Sequence, residues 1–338
     1  MQRTPVLRAL VGLAFLALAA CSKGNVITSS TAFPTASPFP PAVTSEYPVT
    51  TAGAQPNFIA PGSDGGLWFP EPGANQIGHL TTTALIVESP VPTSAAVPTD
   101  LVQGPDGNFW YTEASGNKIS RLSISQSQTI EYSLPNPASN PYGITVGPDS
   151  NLWFTEKAGN RIGSITTAAG TITEYFAGLS AAATPTVITT GPDNALWFLE
   201  PGVNKIGRIS TAGAISEFPI PTANAGLSSM VEGNDGALWF TESAAGKIGR
   251  ITPAGSVTEY PSAPVTDPGG LVLALDGNFY MTDASGNRLA QFVPSSGVVT
   301  TYAIPTASSG VGGITLGPDG RLYFTETTAN KIGQFRYR

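Results

Sequence analysis

The stretch from Pro141 to Tyr175, PYGITVGPDSNLWFTEKAGNRIGSITTAAGTITEY, decides the fold because it contains four short strand-like segments separated by turns. The first turn, Gly147-Pro148-Asp149-Ser150, has proline at its second position, where the fixed φ of proline favours a turn. Its aspartate can accept a hydrogen bond from the nearby backbone. The sequence therefore predicts a unit of four strands, at residues 142–146, 151–156, 161–166 and 171–175.

This unit recurs seven times along the chain, at intervals of 41 to 44 residues. Each copy has an aromatic residue in its second strand: Trp68, Trp110, Trp153, Trp197, Trp239, Tyr280 and Tyr323. An aspartate stands four residues before each aromatic, and a carboxylate three residues after it: Glu71, Glu113, Glu156, Glu200, Glu242, Asp283 and Glu326. Seven copies of this length predict an all-β fold, a seven-bladed β-propeller with four antiparallel strands per blade.

The two ends of the repeat region predict how the ring closes. The last unit stops after its third strand, whereas the segment Ser45-Glu46-Tyr47-Pro48 resembles a fourth strand such as Thr258-Glu259-Tyr260-Pro261. Pairing of the N-terminal strand with the last blade would remove an open sheet edge. We therefore expect the propeller to span residues 45–338.

The N-terminus carries the features of an exported lipoprotein. Residues 1–20 contain a basic start and a short apolar run, and the ending Leu18-Ala19-Ala20-Cys21 resembles the bacterial lipobox. The alternative is an ordinary signal peptide whose cleavage site adjoins a cysteine. We expect secretion across the inner membrane, lipidation of Cys21, and a disordered Ser/Thr/Pro-rich tether over residues 21–44. The lipid would then be the only membrane attachment, on the periplasmic side or the cell surface.

The charge balance restricts the partners. Only 12% of the residues are charged, and loss of residues 1–20 would change the formal charge from −7 to −9. An acidic chain without a basic stripe repels phosphate backbones, so nucleic acid is not expected as a partner. With one cysteine, no intramolecular disulfide can form. We expect a monomer that takes a small-molecule, peptide or glycan ligand.

Two phrases carry a family resemblance. The segments GPDGNFWYTE (104–113) and NKIGRI (204–209) resemble the virginiamycin B lyase, or streptogramin lyase, family, and similar phrases occur in all seven units. The resemblance implies a seven-bladed propeller. It also implies a C–O lyase that opens a cyclic depsipeptide by elimination, with Mg²⁺ held by carboxylates and a histidine base in a Glu-x-His sequence.

This chain departs from that pattern at the base. The residues two positions after the repeated carboxylates are Gly73, Ser115, Ala158, Gly202, Ala244, Ser285 and Thr328. None of them accepts a proton near neutral pH. The one histidine, His79, falls on a third strand, about 10 Å outward from the channel-lining strand. We therefore expect a structural role for His79, with a role as ligand or base as the alternative.

The repeated carboxylates are expected around the mouth of the ring, with two interpretations. Two or three of them, with Glu71, Asp100 and Glu113 as the candidates, would hold Mg²⁺, as the resemblance implies. Alternatively, each pairs with the cation that opens the third strand of its blade. In the first unit Gln76 replaces that cation, which would leave Glu71 free.

The starts of the first strands differ from unit to unit while the rest of the unit repeats. Such variation is typical of a binding surface on a fixed scaffold, although inner strands that simply tolerate variation would look the same. The candidate ligand-binding residues are Asn57, Phe58, Asp100, Tyr142 and Ser229.

These observations favour an envelope-anchored ligand-binding propeller without the base of the family. A Mg²⁺-dependent C–O lyase with another base is the first alternative. A sugar-lactone hydrolase is the second, since six-bladed lactonases share this repeat style, and the seven units weigh against it.

Overall fold

The structure, a computed structural model, describes residues 40–125 and 128–338, and within these ranges all regular structure is β-strand. The strands are β1 (Ala42–Pro48), β2 (Ala60–Pro61), β3 (Leu67–Glu71), β4 (Gln76–Leu80), β5 (Ile86–Pro90), β6 (Pro98–Gln103), β7 (Phe109–Glu113), β8 (Lys118–Ser123), β9 (Gln128–Ser133), β10 (Pro141–Val146), β11 (Leu152–Glu156), β12 (Arg161–Ile165), β13 (Ile172–Tyr175), β14 (Ile188–Thr190), β15 (Leu196–Glu200), β16 (Lys205–Ile209), β17 (Ile215–Pro219), β18 (Leu227–Glu232), β19 (Leu238–Glu242), β20 (Lys247–Ile251), β21 (Val257–Pro261), β22 (Pro268–Leu273), β23 (Phe279–Asp283), β24 (Arg288–Val293), β25 (Val298–Ala303), β26 (Val311–Leu316), β27 (Leu322–Glu326) and β28 (Lys331–Arg336).

These strands form seven four-stranded antiparallel sheets arranged as the blades of a propeller. Blades 1 to 6 are β2–β5, β6–β9, β10–β13, β14–β17, β18–β21 and β22–β25, and blade 7 consists of β26, β27, β28 and β1. The predicted fold class is confirmed. The four-strand unit that the sequence predicted at residues 142–175 is blade 3.

The N-terminal strand closes the ring as predicted. In blade 7, β1 pairs antiparallel with β28, with Tyr47 opposite Ile332 and Glu46 opposite Gly333. The strand begins at Ala42, opposite Arg336, three residues before the expected start of the propeller. The pairing hydrogen-bonds the otherwise open edge of β28, which explains why the chain uses its first strand to complete its last blade.

The export signals lie outside the described residues. Residues 1–20, Cys21 and the tether up to residue 39 are not among them, so the predicted signal peptide, lipidation and tether stay predictions. In the described part of the chain, no helix is long and apolar enough to cross a membrane.

A hydrogen bond between the first turn and the second strand explains the repeated Asp-x-x-x-Trp spacing. In blade 3 the indole Nε1–H of Trp153 donates to Asp149 Oδ1 at 3.0 Å, and the same bond joins Trp110 to Asp106. Tyr280 uses its hydroxyl for the same purpose, toward Asp276. The aspartate therefore fixes the buried aromatic ring as well as shaping the turn, which is more than turn geometry alone predicted.

Threonines of the second strands tie neighbouring blades together around the channel. Thr155 Oγ1 accepts the N–H of Gly143 at 2.9 Å and donates to the carbonyl of Thr186 in the next blade at 2.5 Å. The two backbones approach so closely that a Cβ on Gly143 would lie 2.6 Å from that carbonyl oxygen. Corresponding bonds to the next blade are made by Thr112, Thr241, Thr282 and Thr325. These bonds fix the positions of the first strands, and the first residues of these strands form the mouth of the ring.

Candidate ligand-binding site

A cavity of about 230 Å³ lies at the mouth of the ring, at the starts of the first strands. Its position follows from the blade connections: the amide of Ser115, between the second and third strands of blade 2, donates to Ala96 O in the linker that enters the blade. These connections therefore share one face. The cavity is lined by Asn57, Phe58, Tyr142, Ser228, Ser229, Gly269, Gly270, Thr282, Val311, Gly312 and Gly313. It brings together four of the predicted ligand-binding residues: Asn57, Phe58, Tyr142 and Ser229.

One side of the cavity is aromatic. The rings of Phe58 from blade 1 and Tyr142 from blade 3 meet edge to face, with centroids 6.1 Å apart and planes at 83°. The N–H of Phe58 donates to Asn57 Oδ1 at 2.8 Å, which holds the entry to blade 1. Lys157 Nζ lies 5.0 Å from the centroid of the Tyr142 ring. This arrangement places aromatic surface and a cation near the same edge of the cavity.

The other side of the cavity is built from small residues of blades 5 to 7. A Cβ on Gly270 would lie 2.8 Å from Gly312 O, and a Cβ on Gly313 would lie 2.5 Å from Asn57 O. Glycine is therefore required at these positions because the first strands approach each other closely. The consequence for the cavity is a glycine wall in blades 6 and 7, a stretch of the lining that contributes no side chains.

Asp100, the fifth predicted ligand-binding residue, is beside the cavity and not among its lining residues. Its Oδ1 accepts the N–H of Leu101 at 2.8 Å, and its Oδ2 accepts the N–H of Ile144 in blade 3 at 3.0 Å. Burial raises the pKa of the Asp100 carboxyl to about 7 against the lowering effect of these bonds. Burial and the nearby Asp100 charge raise the pKa of Tyr142.

The repeated second-strand carboxylates are not exposed around the mouth, so the prediction that they line it is wrong. All seven side chains are fully buried within the blades: Glu71, Glu113, Glu156, Glu200, Glu242, Asp283 and Glu326. The second strands are buried along their whole length, so a carboxylate at the strand end stays inside the sheet stack. Burial raises the pKa of Glu71 to about 8 and that of Glu242 to about 7, so a substantial fraction of each carboxyl is protonated near neutral pH.

The ion pairing expected for these carboxylates is also wrong in most blades. In blade 2, Lys118 Nζ lies 2.5 Å from Glu131 on the fourth strand. Glu131 also accepts the N–H and the hydroxyl of Thr93, at 2.9 and 2.8 Å, and so clamps the linker that enters the blade. The lysine thus pairs with the more accessible carboxylate, and Glu113 hydrogen-bonds Ser120. Glu71, left without a cation by Gln76, is buried rather than available to a ligand.

The predicted magnesium ligands are not brought together. Glu71 and Glu113 lie inside different blades, and Asp100 faces backbone amides. Over residues 40–125 and 128–338, no group of three or more His, Cys, Asp or Glu side chains could hold a metal ion. These three carboxylates therefore do not form a Mg²⁺ site. The resemblance still implies Mg²⁺, but Glu71, Asp100 and Glu113 are not its ligands.

Comparison with known proteins identifies the family. The model of the virginiamycin B lyase family matches residues 41–178 and 176–338, which is the whole propeller. The chain belongs to this family. A structure of streptogramin B lyase shares 37% identity over 86% of this chain and 96% of its own, with a TM-score of 0.81.

Virginiamycin B lyase from Staphylococcus aureus is similar to the same degree. It shares 38% identity over 86% of this chain and 98% of its own, with a TM-score of 0.81. A catalytically inactive variant of that lyase, solved with quinupristin, shares 37% identity over 86% of this chain and 98% of its own, with a TM-score of 0.81. No curated protein sequence matches the chain.

The one histidine of this family member is on the face opposite the mouth cavity. The ring of His79 stacks on Trp68, with centroids 4.0 Å apart and planes at 8°. Its Nε2 lies 3.1 Å from Asp64 Oδ2, in the turn between the first and second strands of blade 1. Burial lowers the pKa of His79. The geometry agrees with the predicted structural role: the imidazole covers the tryptophan of its blade.

Blade 6 lacks the fourth-strand glutamate that the other six blades share, a difference that the sequence analysis did not single out. Asp283 pairs with Arg288 at 2.7 Å, and the opposing fourth-strand position holds Thr301 instead of glutamate. Ser285 donates its hydroxyl to Asp283 at 3.0 Å. The signal was present in the repeat, since Asp283 is the one aspartate among the seven carboxylates and Ala290 replaces the usual glycine. Thr282, next to this pair, lines the mouth cavity.

Proposed function

We propose that this member of the virginiamycin B lyase family binds a small-molecule, peptide or glycan ligand in the mouth cavity and does not perform the elimination reaction. One observation carries the proposal. The only histidine of the chain stacks on Trp68 beside Asp64, on the face opposite the cavity, so no imidazole can take a proton from a ligand held there.

The cavity itself has the character of a binding site. Two aromatic side chains, an amide, two serine hydroxyls and exposed backbone converge on about 230 Å³ of space. Small-molecule sites combine apolar surface with a few placed polar groups in this way. The lining residues differ from blade to blade, whereas the hydrogen bonds from second-strand threonines to the next blade repeat beneath them. The mouth therefore presents one asymmetric surface.

We further propose that Cys21 carries the lipid that retains the protein at the cell envelope. The propeller begins at Ala42, so about twenty residues would separate the lipid from the first strand. Replacement of Cys21 by serine should release the protein from membranes or leave the precursor uncut. Normal membrane retention of the Cys21→Ser protein would refute the anchoring proposal.

The test of the function uses quinupristin, which occupies the solved Staphylococcus aureus relative. Binding to the mature chain is measured by calorimetry, and turnover by chromatography with and without EDTA. Elimination adds no water, so the linear product is recognised by retention time rather than mass. The Staphylococcus aureus enzyme is the positive control. We expect binding without product, and product at a rate comparable to that enzyme would contradict the proposal.

Asp100 favours the lyase as the second candidate function. Its half-buried carboxyl lies near Tyr142, and desolvation raises its pKa to about 7, the range in which a carboxylate can act as a general base. If the chain forms linear product, Asp100→Asn should abolish it, whereas Asp319→Asn on the opposite face should not. Product that persists in the Asp100→Asn protein would exclude this base.

A further inference from the structure

We propose that the mouth cavity selects ligands with a flat aromatic ring and an anionic group, the ring lying between the Phe58–Tyr142 pair and the glycine wall, and the anion pairing with Lys157. This inference rests on the proposed ligand-binding function and specifies the ligand class.

The aromatic side supplies the surface for the ring. Phe58 and Tyr142 come from blades 1 and 3, so their contact extends across the start of blade 2. Edge-to-face pairs leave ring surface and ring edge available to a third aromatic group. The ring of Tyr142 contacts the ring of Phe58 and the ammonium group of Lys157, and both of these residues lie in connections between strands rather than in a blade core.

The opposite side sets the shape of the ligand. Gly269, Gly270, Gly312 and Gly313 form the wall in blades 6 and 7, and each would place a Cβ within 3.0 Å of a neighbouring oxygen. Two of the wall's carbonyl oxygens already accept hydrogen bonds: Gly269 O accepts from Thr241, and Gly312 O accepts from Thr282. A glycine wall on which two carbonyl oxygens are already bonded favours a thin, flat group that gains mainly van der Waals contact.

The charge preference comes from Lys157. In the other blades the corresponding positions are Pro72, Ala114, Pro201, Ser243, Ala284 and Thr327, none of them charged. Lys157 contacts Tyr142, and no carboxylate among the described residues lies within ion-pair distance of it. By contrast, Lys205 and Lys247 pair with fourth-strand glutamates, at 2.6 and 2.7 Å. An ammonium group without an anionic partner is thus available at the aromatic edge.

Asp100 is the acidic group that could oppose an anion here. It is half-buried, and both of its oxygens accept backbone N–H groups, from Leu101 and Ile144. These bonds direct its charge into the backbone of blades 2 and 3. Because desolvation raises its pKa to about 7, this carboxyl is only partly ionised near neutral pH, whereas the charged Lys157 ammonium group lies over the Tyr142 ring.

The experiment uses three probes of similar size in NMR titrations of the mature chain: phenylacetate, cyclohexylacetate and phenethylamine. We expect phenylacetate to bind about 3- to 10-fold more tightly than cyclohexylacetate, because only the flat ring stacks. It should bind about 2- to 5-fold more tightly than phenethylamine, because only the carboxylate pairs with Lys157.

Matched variants separate the two contributions. Tyr142→Leu should abolish the preference for the aromatic ring, and Lys157→Met the preference for the anion. Phe176→Leu removes an exposed aromatic outside the cavity, and Arg321→Met removes an exposed cation on the opposite face, so both should keep the wild-type ratios. Thermal unfolding confirms that each variant is folded.

Equal binding of the three probes, or tighter binding of phenethylamine, would overturn the inference, as would unchanged ratios in the two cavity variants. If quinupristin binds and phenylacetate neither binds nor displaces it, the ligand class is wrong and the binding function stands. If neither compound binds, both proposals fail.

Discussion

The first and second strands of each blade are hydrogen-bonded neighbours, yet they repeat very differently. The second strand of blade 3, LWFTE, recurs unchanged in blade 5, and both are fully buried. The first strands of the same blades, PYGITV and LSSMVE, share little. A strand covered on both faces must fill a fixed space, whereas a strand at the channel contacts solvent or ligand. The repeat therefore encodes the scaffold, and its variation is concentrated at the candidate site.

The largest effect is expected from removing the strand that completes the scaffold. Deletion of residues 1–48 leaves β28 as an open edge and removes the clamp in which Glu46 accepts the N–H and hydroxyl of Thr306. We expect loss of about 5 kcal/mol or more of unfolding free energy, or failure to fold. Deletion of residues 22–39 alone is the control, and if both proteins melt alike the closure account is wrong.

Truncating a buried second-strand residue should lower the free energy of unfolding much more than truncating a residue at the mouth. Trp153→Ala removes a side chain that is 1% exposed and hydrogen-bonded to Asp149, and should cost about 3–5 kcal/mol. Phe58→Ala, at the cavity, should cost about 1 kcal/mol and weaken ligand binding instead. Urea denaturation measures both, and similar costs would contradict the division between scaffold and site.

The buried carboxyls predict that the scaffold loses stability as the pH rises. Burial raises the pKa of Glu242 in the folded chain to about 7, above the unfolded value, and the Glu259 charge acts in the same direction. The protonated form is favoured in the fold, so this contribution is complete below about pH 4.5 and is lost as the pH rises toward 7. The paired fourth-strand glutamates have lowered pKa values and stay ionised over this range.

Denaturation at pH 5 and pH 8 tests this dependence. The change in unfolding free energy caused by Glu242→Gln should be more favourable at pH 8 than at pH 5, by about 1 kcal/mol. The exposed Glu232 provides the control, since Glu232→Gln should leave the pH dependence unchanged. A flat profile in the wild-type protein would show that the carboxyls are not protonated in the fold.

The smallest effect is expected at His79. His79→Gln removes the stacking on Trp68 and the contact with Asp64, and should lower stability by about 0.5–1 kcal/mol. Ligand affinity at the mouth should not change, because the ring lies on the opposite face. A large loss of binding or of any turnover would give His79 a functional role.

The sequence predicted the fold because the repeat is a property of local turns and buried strands. The spacing of Asp149 and Trp153 identified the unit, and Tyr47 identified the closing strand. It predicted four cavity residues because they interrupt the repeat. The sequence wrongly predicted that Glu71 and Glu113 are exposed at the mouth. A residue at a strand end can be exposed or covered by the neighbouring blade, and only the packing of the blades decides which. Blade 6 was overlooked because its substitutions are individually modest.

Calorimetry and chromatography with quinupristin, on the wild-type protein and on Tyr142→Leu, test ligand recognition at the mouth most sharply. If the mouth binds ligand and supplies no catalytic base, the wild-type protein should bind quinupristin and leave it unchanged. Tyr142→Leu should weaken binding about 3- to 10-fold with no loss of stability beyond about 1 kcal/mol. Efficient conversion to the linear product, or equal affinity of the two proteins, would contradict this account of the mouth.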